Sequence, residues 1–467
     1  MTKVEDPILA AWERTRASNR DRTAICDSHG NITRTFLEIE ERARQFADEM
    51  EAITPGQVLA IQIGNHPDWP SLFLACLRRG VVVLPLEQTI SDEQRENAFE
   101  TCRVIAVVAA VPGGGVRMLP LRTAASTEEK WGASTPALLK LTSGTTAAPR
   151  AVRFRSEQLL ADCENICETM GITDRDLNFG VIPISHSYGF SNLLTPLIAR
   201  GVSLALGGDR IPRAIIDGLG ATRASVFPGM PVFYQSFCEM NPPPPLPDLR
   251  LCISAGAPLP VETAQAFRKK FRREIHSFYG ASECGGICYV REAQQIPGFV
   301  GEPMVGVALE LVDREVSSSL IRVRSRAVAD GYFPMPDEDK LGQGRFVPDD
   351  LLERTAFGYR IVGRSSDLIN VAGKKVQPAE VEAEILRCEG VREAIVFGRE
   401  SERRNQEVAA CVVAKGVTEG ELLAHCRARL SSWQVPRRIF FVDAIPVNER
   451  GKTSRRELAL RYPVRRC

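Results

Sequence analysis

The sequence predicts an α/β fold with a large N-terminal domain of doubly wound sheets and a small β-rich subdomain, followed by an α+β C-terminal domain. From about residue 57, short apolar runs alternate with longer amphipathic segments, which is typical of parallel sheets covered by helices. From Leu309 the apolar runs shorten and turns separate them. At 467 residues the chain is too long for one hydrophobic core. We expect an N-terminal domain over 1–365, with its β-rich subdomain at about 309–365, and a C-terminal domain over 366–467.

The individual elements follow from periodicity and from helix-end chemistry. A capping box is expected where Ser91 precedes Gln94, and Gly171 occupies the position of a helix C-terminal glycine. The prolines of 241–245 cannot join a ladder, so this stretch is a loop. Strands are predicted at 57–63, 81–85, 104–110, 137–141, 178–183, 202–206, 224–227, 249–254, 393–398, 407–414 and 438–443. Helices are predicted at 70–80, 156–171, 378–390 and 419–430.

Composition excludes several classes of protein. The chain has 59 basic and 58 acidic residues, so no overall field favours nucleic acid or an anionic membrane. Its 13 cysteines and five histidines are scattered without metal-ligand spacing, which argues against a zinc site, and free thiols suit a reducing compartment. No apolar run of 18 residues and no signal-peptide core are found. We expect a cytoplasmic protein with no nucleic-acid or membrane partner.

The stretch LTSGTTAAPRAV at 141–152 follows an apolar run directly. Its hydroxyls, with backbone N–H groups freed by a glycine, form either an ordinary Ser/Thr turn or a nest for phosphate oxygens. Composition alone favours the turn. Because ligands in such folds bind beyond the carboxyl ends of strands, its position favours the phosphate site, and Arg150 and Arg153 would add positive charge.

Two further stretches have candidate chemistry. SFYGASECGG at 277–286 presents Glu283 among small residues, either as a Mg²⁺ ligand beside phosphates or as a surface acid on a glycine-rich turn. Tyr279 would stack on a base. Near the end, Gly451-Lys452-Thr453 resembles the tail of a P-loop, but Pro446 occupies the place of its first glycine, which excludes that motif.

Seven ordered motifs together resemble the AMP-forming adenylating enzymes, which include acyl-CoA synthetases, stand-alone adenylation domains and luciferases. The resemblance covers roughly residues 30–460 and is closest in pattern to acyl- or aryl-CoA ligases. The motifs are LTSGTTAAPRAV (141–152), PISHSYGF (183–190), ISAGAPL (253–259), YGASE (279–283), GRFVPDDL (344–351), IVGRSSDLINVAGKKVQPAEVE (361–382) and IPVNERGKTSRREL (445–458).

The resemblance implies ATP, Mg²⁺ and coenzyme A as the bound groups and assigns roles. Residues 142–146 would hold the β- and γ-phosphates, 255–257 with Tyr279 would enclose adenine, and Lys452 would reach the carboxylate–phosphate junction. The catalytic positions would be Lys452, Thr145, Glu283 and His186, with Mg²⁺ at Glu283 and Thr145. The cofactor-binding positions would be Thr142, Ser143, Gly144, Thr145, Thr146, Ala255, Gly256, Ala257, Tyr279, Gly280, Ser282, Asp350, Arg364 and Gly373.

Asp350 and Arg364 would bind the ribose hydroxyls. The C-terminal domain would be a mobile lid that rotates about Ser366–Asp367, after which a thiol would enter past Gly373. Two half-reactions at one site require two arrangements of such a lid. Pro348-Asp349 replace the usual Thr-Gly, so the ribose position is either Asp350 or its neighbour.

Departures from the family pattern bear on substrate and activity. Ala147, Arg150 and Ala151 replace the usual Gly, Lys and Gly. His186 stands where amino-acid-activating relatives carry an Asp, which favours a simple aliphatic or aromatic carboxylic acid. The predicted reaction is acid activation by ATP with pyrophosphate release, then transfer to coenzyme A. The alternatives are a carrier-protein phosphopantetheine as acceptor, and a degenerate, non-catalytic nucleotide- or acyl-binding protein. Candidate pocket walls are Phe190, Met230 and Cys284.

Overall fold

The computed structural model describes residues 6–121, 131–132, 134–142, 150–313, 318–401, 405–446 and 454–463. Their fold is mixed α/β, in agreement with the predicted class, and it divides into two compact units. Unit 1 comprises Met1–Glu310, Arg322–Pro348 and Arg354–Arg360, and unit 2 comprises Leu311–Ile321, Asp349–Glu353 and Ile361–Cys467. The chain thus passes between the units several times, and the boundaries drawn at 309 and 365 stay predictions.

The helices follow the amphipathic segments. They are α1 (Pro7–Asn19), α2 (Phe36–Glu49), α3 (Trp69–Arg79), α4 (Asp92–Cys102), α5 (Ser156–Met170), α6 (Ser187–Gly189), α7 (Thr195–Arg200), α8 (Pro212–Thr222), α9 (Pro231–Glu239), α10 (Val261–Phe271), α11 (Pro378–Leu386), α12 (Glu419–Arg429) and α13 (Arg455–Arg461). A π-helical turn, Phe190–Leu194, joins α6 to α7, and a 3₁₀ turn is formed by Ser365–Asp367.

The strands follow the short apolar runs. They are β1 (Thr23–Asp27), β2 (Ile32–Thr35), β3 (Val58–Gln62), β4 (Val82–Pro85), β5 (Val104–Val111), β6 (Gly115–Pro120), β7 (Leu138–Leu141), β8 (Ala151–Phe154), β9 (Leu177–Gly180), β10 (Ser203–Leu206), β11 (Val226–Gly229), β12 (Leu251–Ser254), β13 (Ile275–Ala281), β14 (Gly285–Tyr289), β15 (Phe299–Pro303), β16 (Val307–Leu311), β17 (Ser318–Ser325), β18 (Gly331–Phe333), β19 (Leu341–Gly342), β20 (Arg345–Phe346), β21 (Asp350–Thr355), β22 (Gly358–Arg364), β23 (Ile369–Val371), β24 (Lys374–Val376), β25 (Val391–Ser401), β26 (Asn405–Ala414) and β27 (Arg438–Phe441).

One sheet of unit 1 runs in the order β18–β8–β7–β4–β3–β5–β6. Its central strands β7, β4, β3 and β5 pair in parallel. Strands β3 and β4 are almost wholly buried, as expected of parallel strands covered on both faces, which read as continuous Val/Leu/Ile runs. The predicted parallel arrangement is confirmed for these strands.

The edge of this sheet differs from the sequence-based prediction. Strand β8 was not predicted, and it pairs antiparallel with β7, while β18 pairs antiparallel with β8. The strands that flank the hydroxyl-rich segment, β7 and β8, are therefore antiparallel neighbours. Strand β8 consists of the residues AVRF, too short a run to separate from a loop by periodicity alone.

A second sheet of unit 1 contains the series β15–β14–β13–β12–β11–β9–β10–β1–β2. Strands β10, β9, β11, β12 and β13 pair in parallel, and β14 then returns antiparallel to β13. An aromatic core packs against it: the rings of Phe227 and Tyr234 are 5.6 Å apart and those of Tyr234 and Phe267 are 5.2 Å apart. The parallel strands end together at the edge occupied by residues 229, 254 and 277.

Unit 2 contains a sheet in the order β24–β23–β26–β25, with β27 parallel to β26. The predicted strands at 393–398, 407–414 and 438–443 and the helices at 378–390 and 419–430 are confirmed with bounds shifted by a few residues. The helices and one face of these strands form a core, exemplified by Val381, Val396 and Leu422, each fully buried.

The helix ends predicted from the sequence are confirmed in part. Gly171 terminates α5 in the left-handed conformation, as predicted. The Ser91 hydroxyl accepts the Gln94 amide at the start of α4, which is one half of the predicted capping box. Residues 241–245 form a loop, also as predicted. Among the described residues, no helix is long and apolar enough to span a bilayer.

Candidate active site

The hydroxyl loop, residues 142–150 between β7 and β8, is closed at its base. The amide and the hydroxyl of Thr142 both donate to the Arg150 carbonyl oxygen, at 2.9 and 3.1 Å. The β7–β8 register ends in the pair Leu141–Ala151, so both ends of the loop are fixed by a ladder. Four predicted phosphate-binding residues, Ser143, Gly144, Thr145 and Thr146, lie outside the described residues.

The Glu283 turn, residues 282–284 between β13 and β14, carries the predicted magnesium ligand. Glu283 Oε1 accepts a hydrogen bond from the Tyr332 hydroxyl at 3.1 Å, and the Glu283 carbonyl accepts the Ala329 amide at 3.0 Å. Burial, and then the charge of Glu283, raise the pKa of Tyr332 above its usual value. The phenol therefore stays protonated at neutral pH and donates to the Glu283 carboxylate.

Tyr332 joins the Glu283 turn to the hydroxyl loop. Its strand β18 pairs with β8, Tyr332 lying opposite Val152, and the Arg150 guanidinium lies 4.5 Å from the centre of the Tyr332 ring. A cation over an aromatic face is attracted by the ring quadrupole. Both ends of the hydroxyl loop are thus linked, through Arg150 and Tyr332, to Glu283, the predicted magnesium ligand.

The segment 183–190 also approaches the Glu283 turn. The Ser187 hydroxyl donates to the Ser282 hydroxyl at 3.0 Å. His186 is exposed, and its Nδ1 accepts the Tyr188 amide at 3.2 Å, so the proton of the neutral ring lies on Nε2. The structure therefore brings His186 and Glu283 onto neighbouring segments.

The predicted adenine-side residues follow β12. Ala255 is buried and donates its amide to the Gly229 carbonyl at 3.3 Å, whereas Gly256 and Ala257 are exposed. Gly256 has φ +84°, and a Cβ there would lie 3.7 Å from the Met230 methyl. Tyr279 lies on the neighbouring strand β13. Residues 255–257 thus occupy the carboxyl edge of the parallel strands, where ligands of open α/β sheets bind.

Two of the candidate pocket walls belong to the interior. Phe190 is fully buried, with its ring edge-on to Phe73 at 5.2 Å, and Cys284 is fully buried as well. Burial raises the pKa of the Cys284 thiol, which makes it a poor nucleophile. Met230 is partly buried and packs against the core.

The predicted ribose pair and hinge lie in unit 2. Arg364 donates from Nε to Asp350 Oδ1 at 3.0 Å. In the 3₁₀ turn, Asp367 accepts from Arg455 at 2.8 Å, and Arg455 also pairs with Glu382 at 2.8 Å. Asp350 is therefore held by an ion pair with Arg364.

Gly373 lies at the tip of the β23–β24 hairpin. It has φ +87°, donates its amide to the Asn370 side chain at 2.9 Å, and has open space where a Cβ would project. Its neighbour Lys374 places its ammonium 3.6 Å from the Trp433 ring centre. Lys452 lies outside the described residues, three positions before Arg455.

Sequence reasoning did not single out three buried polar residues near the hydroxyl loop and the Glu283 turn. Tyr332 has no motif that marks it as a partner of Glu283, since the two are 49 positions apart. Lys140 and Asp162 are charged residues inside apolar segments, 5% and 3% exposed. That irregularity is a signal the sequence contains, because unpaired buried charge is costly. No group of three or more His, Cys, Asp or Glu suited to a metal is found among the described residues.

Comparison with known proteins identifies the family. The family model "AMP-binding enzyme" matches residues 12–333 and "AMP-binding enzyme C-terminal domain" matches 380–452. Feruloyl-CoA synthase from Amycolatopsis sp is 25% identical over 490 residues, covering 97% of this chain and 99% of that protein. Benzoate–CoA ligase from Thauera aromatica is 27% identical over 492 residues, covering 95% and 93%.

Among solved structures, ATP-bound MatB from Rhodopseudomonas palustris superposes with a TM-score of 0.82 at 25% identity, covering 97% of this chain and 98% of that one. The fold, the ordered motifs and the full-length matches agree. This chain belongs to the AMP-binding enzyme family, as an AMP-forming acid–CoA ligase that uses ATP to activate a carboxylic acid and transfers the acyl group to coenzyme A.

Proposed function

We propose that the hydroxyl loop and the Glu283 turn together form the site where an aromatic carboxylic acid is adenylated. The observation that carries this proposal is the link through Tyr332, which ties Arg150 at the loop's base to the carboxylate of Glu283. A Ser/Thr turn without a ligand has no need of a buried tyrosine that orients an acid beside it.

The donor set of this site fits Mg²⁺. Glu283 would hold the ion together with Thr145, because hard cations take oxygen ligands and magnesium is usually bound by only one or two carboxylates. When bound, the ion screens the charge of the triphosphate. Tyr332 orients Glu283 by donating to Oε1, and residues 142–146 would bind the β- and γ-phosphates.

The remaining nucleotide contacts would be made by residues at the carboxyl edge of the parallel strands and by the Asp350–Arg364 pair of unit 2. Residues 255–257 and Tyr279 would enclose adenine, with Gly280 and Ser282 along the same strand and turn. Asp350 would accept the ribose hydroxyls while Arg364 holds its carboxylate.

Lys452 would supply positive charge at the reacting carboxylate. Attack of a carboxylate on the α-phosphorus brings two anions together, so catalysis consists of positioning and charge stabilisation. Removal of the leaving pyrophosphate and entry of the thiol past Gly373 need a second arrangement of the C-terminal domain. The 3₁₀ turn at Ser366–Asp367 is the hinge in this proposal.

An aromatic acid is the substrate class we favour. Two of the matched proteins are named for ferulate and benzoate, and residues beside the Glu283 turn are aromatic, with the rings of Tyr188 and Phe278 5.7 Å apart. His186 would donate from Nε2 toward the acid's carboxylate.

The test is acid-dependent exchange of labelled pyrophosphate into ATP. We expect benzoate- and cinnamate-type acids to support exchange better than aliphatic acids of equal length, and Lys452→Ala to reduce exchange by about 10²–10³-fold. Unchanged exchange in Lys452→Ala would refute the role of that residue, and a preference for aliphatic acids would refute the substrate class.

The same assay separates the alternative acceptors. Thioester formation with coenzyme A alone supports the proposed second step. If thioester forms only when a carrier protein bearing phosphopantetheine is added, the carrier protein is the acceptor instead of coenzyme A. Nucleotide binding without exchange across aromatic and aliphatic acids would identify a non-catalytic binding protein.

A further inference from the structure

Asp330, two positions before Tyr332, is held by three hydrogen bonds from the start of α5. Arg155 donates to both carboxylate oxygens, from Nε at 2.8 Å and from Nη2 at 3.1 Å, and Gln158 Nε2 donates to Oδ1 at 2.7 Å. Two parallel donors from one guanidinium fix the orientation of a carboxylate as well as its distance. The Asp330 carboxylate is therefore fixed against α5.

The Gln158 side chain is itself oriented by the helix. Its side-chain oxygen accepts the Arg155 amide at 2.8 Å, which leaves the side-chain nitrogen as the group that faces Asp330. Gln158 is 5% exposed, and a buried donor that loses its acceptor is costly. The contact with Asp330 is thus more than an exposed ion pair, because it also satisfies a polar side chain of the interior.

Asp330 lies between two contacts to Glu283. The Ala329 amide donates to the Glu283 carbonyl at 3.0 Å, and the Tyr332 hydroxyl donates to Glu283 Oε1 at 3.1 Å. The residues of 329–332 therefore bind both the main chain and the side chain of the predicted magnesium ligand. Within this segment, the Asp330 side chain makes the contact with α5 that fixes where the Tyr332 hydroxyl lies.

We propose that Asp330 is a positioning residue, which holds Tyr332 in place against α5 through Arg155 and Gln158 and thereby sets the orientation of Glu283 and the affinity for Mg²⁺·ATP. Asp330 touches neither substrate nor metal in this proposal. The inference rests on the proposed role of Glu283 as the magnesium ligand.

The first test is a double-mutant cycle in the full-length chain, with Mg²⁺·ATP binding measured by calorimetry in the absence of acid. Asp330→Ala removes the acceptor of all three donors, and we expect affinity to fall about tenfold, as when a group that orients a metal ligand is lost. Asp330→Asn keeps one oxygen as an acceptor, so its loss should be about threefold. In a Tyr332→Phe background, Asp330→Ala should weaken binding by less than about threefold further, because residues that act through one contact are non-additive.

Two outcomes of the cycle would overturn the proposal. One is an Mg²⁺·ATP affinity of Asp330→Ala equal to that of wild type. The other is a further tenfold loss when Asp330→Ala is added to Tyr332→Phe, which would show that Asp330 acts by a route other than Tyr332. If Asp330→Ala fails to fold, Asp330→Asn with and without Tyr332→Phe supplies the same comparison.

Hydrogen–deuterium exchange measures the position of the segment without turnover. The amides of Ala329 and Asp330 both donate to backbone carbonyls at 3.0 Å. A peptide covering 326–333 should therefore exchange faster in Asp330→Ala than in wild type. Tyr332→Phe leaves both amides bonded and should exchange as wild type does. Weaker binding by Asp330→Ala with unchanged exchange in this peptide would contradict the positioning role.

Asp248 provides a matched control for loss of an ion pair. Arg223 donates to both of its carboxylate oxygens, at 3.1 and 3.0 Å, and the Asp248 side chain is 31% exposed, compared with 30% for Asp330. Asp248→Ala should leave both Mg²⁺·ATP affinity and exchange in 326–333 at wild-type values. If it weakens binding as much as Asp330→Ala does, the effect of Asp330→Ala is a general loss of stability and the proposal is wrong.

Glu283→Gln tests the proposed function separately. If this variant binds Mg²⁺·ATP as wild type does, the magnesium role of Glu283 fails. Exchange in 326–333 still reports, in Asp330→Ala, whether Asp330 fixes the segment. The failure of the proposed function and the failure of the positioning role are therefore distinguishable.

Discussion

At the scale of single residues, the proposed site depends on a carboxylate and a phenol. Tyr332 is 3% exposed and donates to Glu283 at 3.1 Å, while its ring faces Arg150. Tyr332→Phe removes the donated hydrogen bond and keeps the ring. We expect the KM for Mg²⁺·ATP to rise about tenfold, with a smaller change in maximal rate, measured by pyrophosphate exchange.

Tyr234→Phe is the control for that prediction. The single proton of the Tyr234 hydroxyl is shared between the carbonyl oxygens of Phe227 and Ile253, at 3.0 and 2.9 Å, in the aromatic core, so its loss removes a buried hydrogen bond at a cost of about 1–3 kcal/mol. Melting temperature should fall without a change in KM for Mg²⁺·ATP. Equal KM effects in both variants would show that Tyr332 acts through stability alone.

Some of these residues were accessible to sequence reasoning and others were not. Thr142 and Glu283 lie in motifs whose order along the chain is informative, and the structure links them through the base of the hydroxyl loop. Tyr332 and Asp162 depend on contacts between segments that are 49 and 124 positions apart. Such contacts are set by sheet order and helix packing, which periodicity does not specify.

At the scale of elements, helix α5 contacts the proposed site from two of its turns. At its start, Arg155 and Gln158 bind Asp330 at 2.8 and 2.7 Å, which fixes the residue before β18 and therefore Tyr332. Further along the helix, Asp162 binds the Gly286 amide. One rigid helix thus orients both partners of the Tyr332–Glu283 hydrogen bond. The sequence predicted the helix from its 3.6-residue pattern, but the partners of its polar residues were not predictable.

The turn 183–189 depends on the glycine at position 189. A Cβ at Gly189 would overlap the Pro183 carbonyl, so the close approach of the two backbones requires glycine. Gly189→Ala should destabilise the protein by about 1–3 kcal/mol, the usual cost of overpacking, and should weaken acid-dependent exchange because His186 lies within this turn. Thermal unfolding and exchange rates measure the two effects.

Gly220 in α8 is the control for Gly189, because a Cβ added at Gly220 meets no close contact. It has an ordinary helical φ, and the nearest atom to its added Cβ is 3.9 Å away. Gly220→Ala should stabilise the protein by about 0.5–1 kcal/mol through helix propensity without altering exchange. A loss of stability in both variants would contradict the steric argument for Gly189.

At the scale of the whole molecule, the fold separates the proposed roles between two units. Parallel strands, predicted from apolar runs, carry the proposed nucleotide-binding edge of unit 1. Unit 2 contains the proposed hinge, where Arg455 pairs with Asp367 and Glu382 at 2.8 Å; Arg455 lies three residues after Lys452. Composition and spacing predicted the alternation of strands and helices in this unit. The interleaving of residues 311–361 between the units was not predictable, because a chain crossing leaves no periodic signal.

Adenylation and thioester formation are separate half-reactions. We therefore expect that a single substitution can slow one of them and leave the other unchanged. Gly373 has φ +87° with open space at its Cβ position, and Gly416 has φ +77° with equally open space. Alanine at either site costs a similar backbone strain, about 1 kcal/mol. Only Gly373 is proposed to line the route of the thiol. Gly373→Ala should therefore slow thioester formation several-fold and leave pyrophosphate exchange unchanged, whereas Gly416→Ala should change neither rate. Thioester formation and exchange are measured on the same preparations, and equal slowing of both reactions by Gly373→Ala would contradict a role confined to thiol entry.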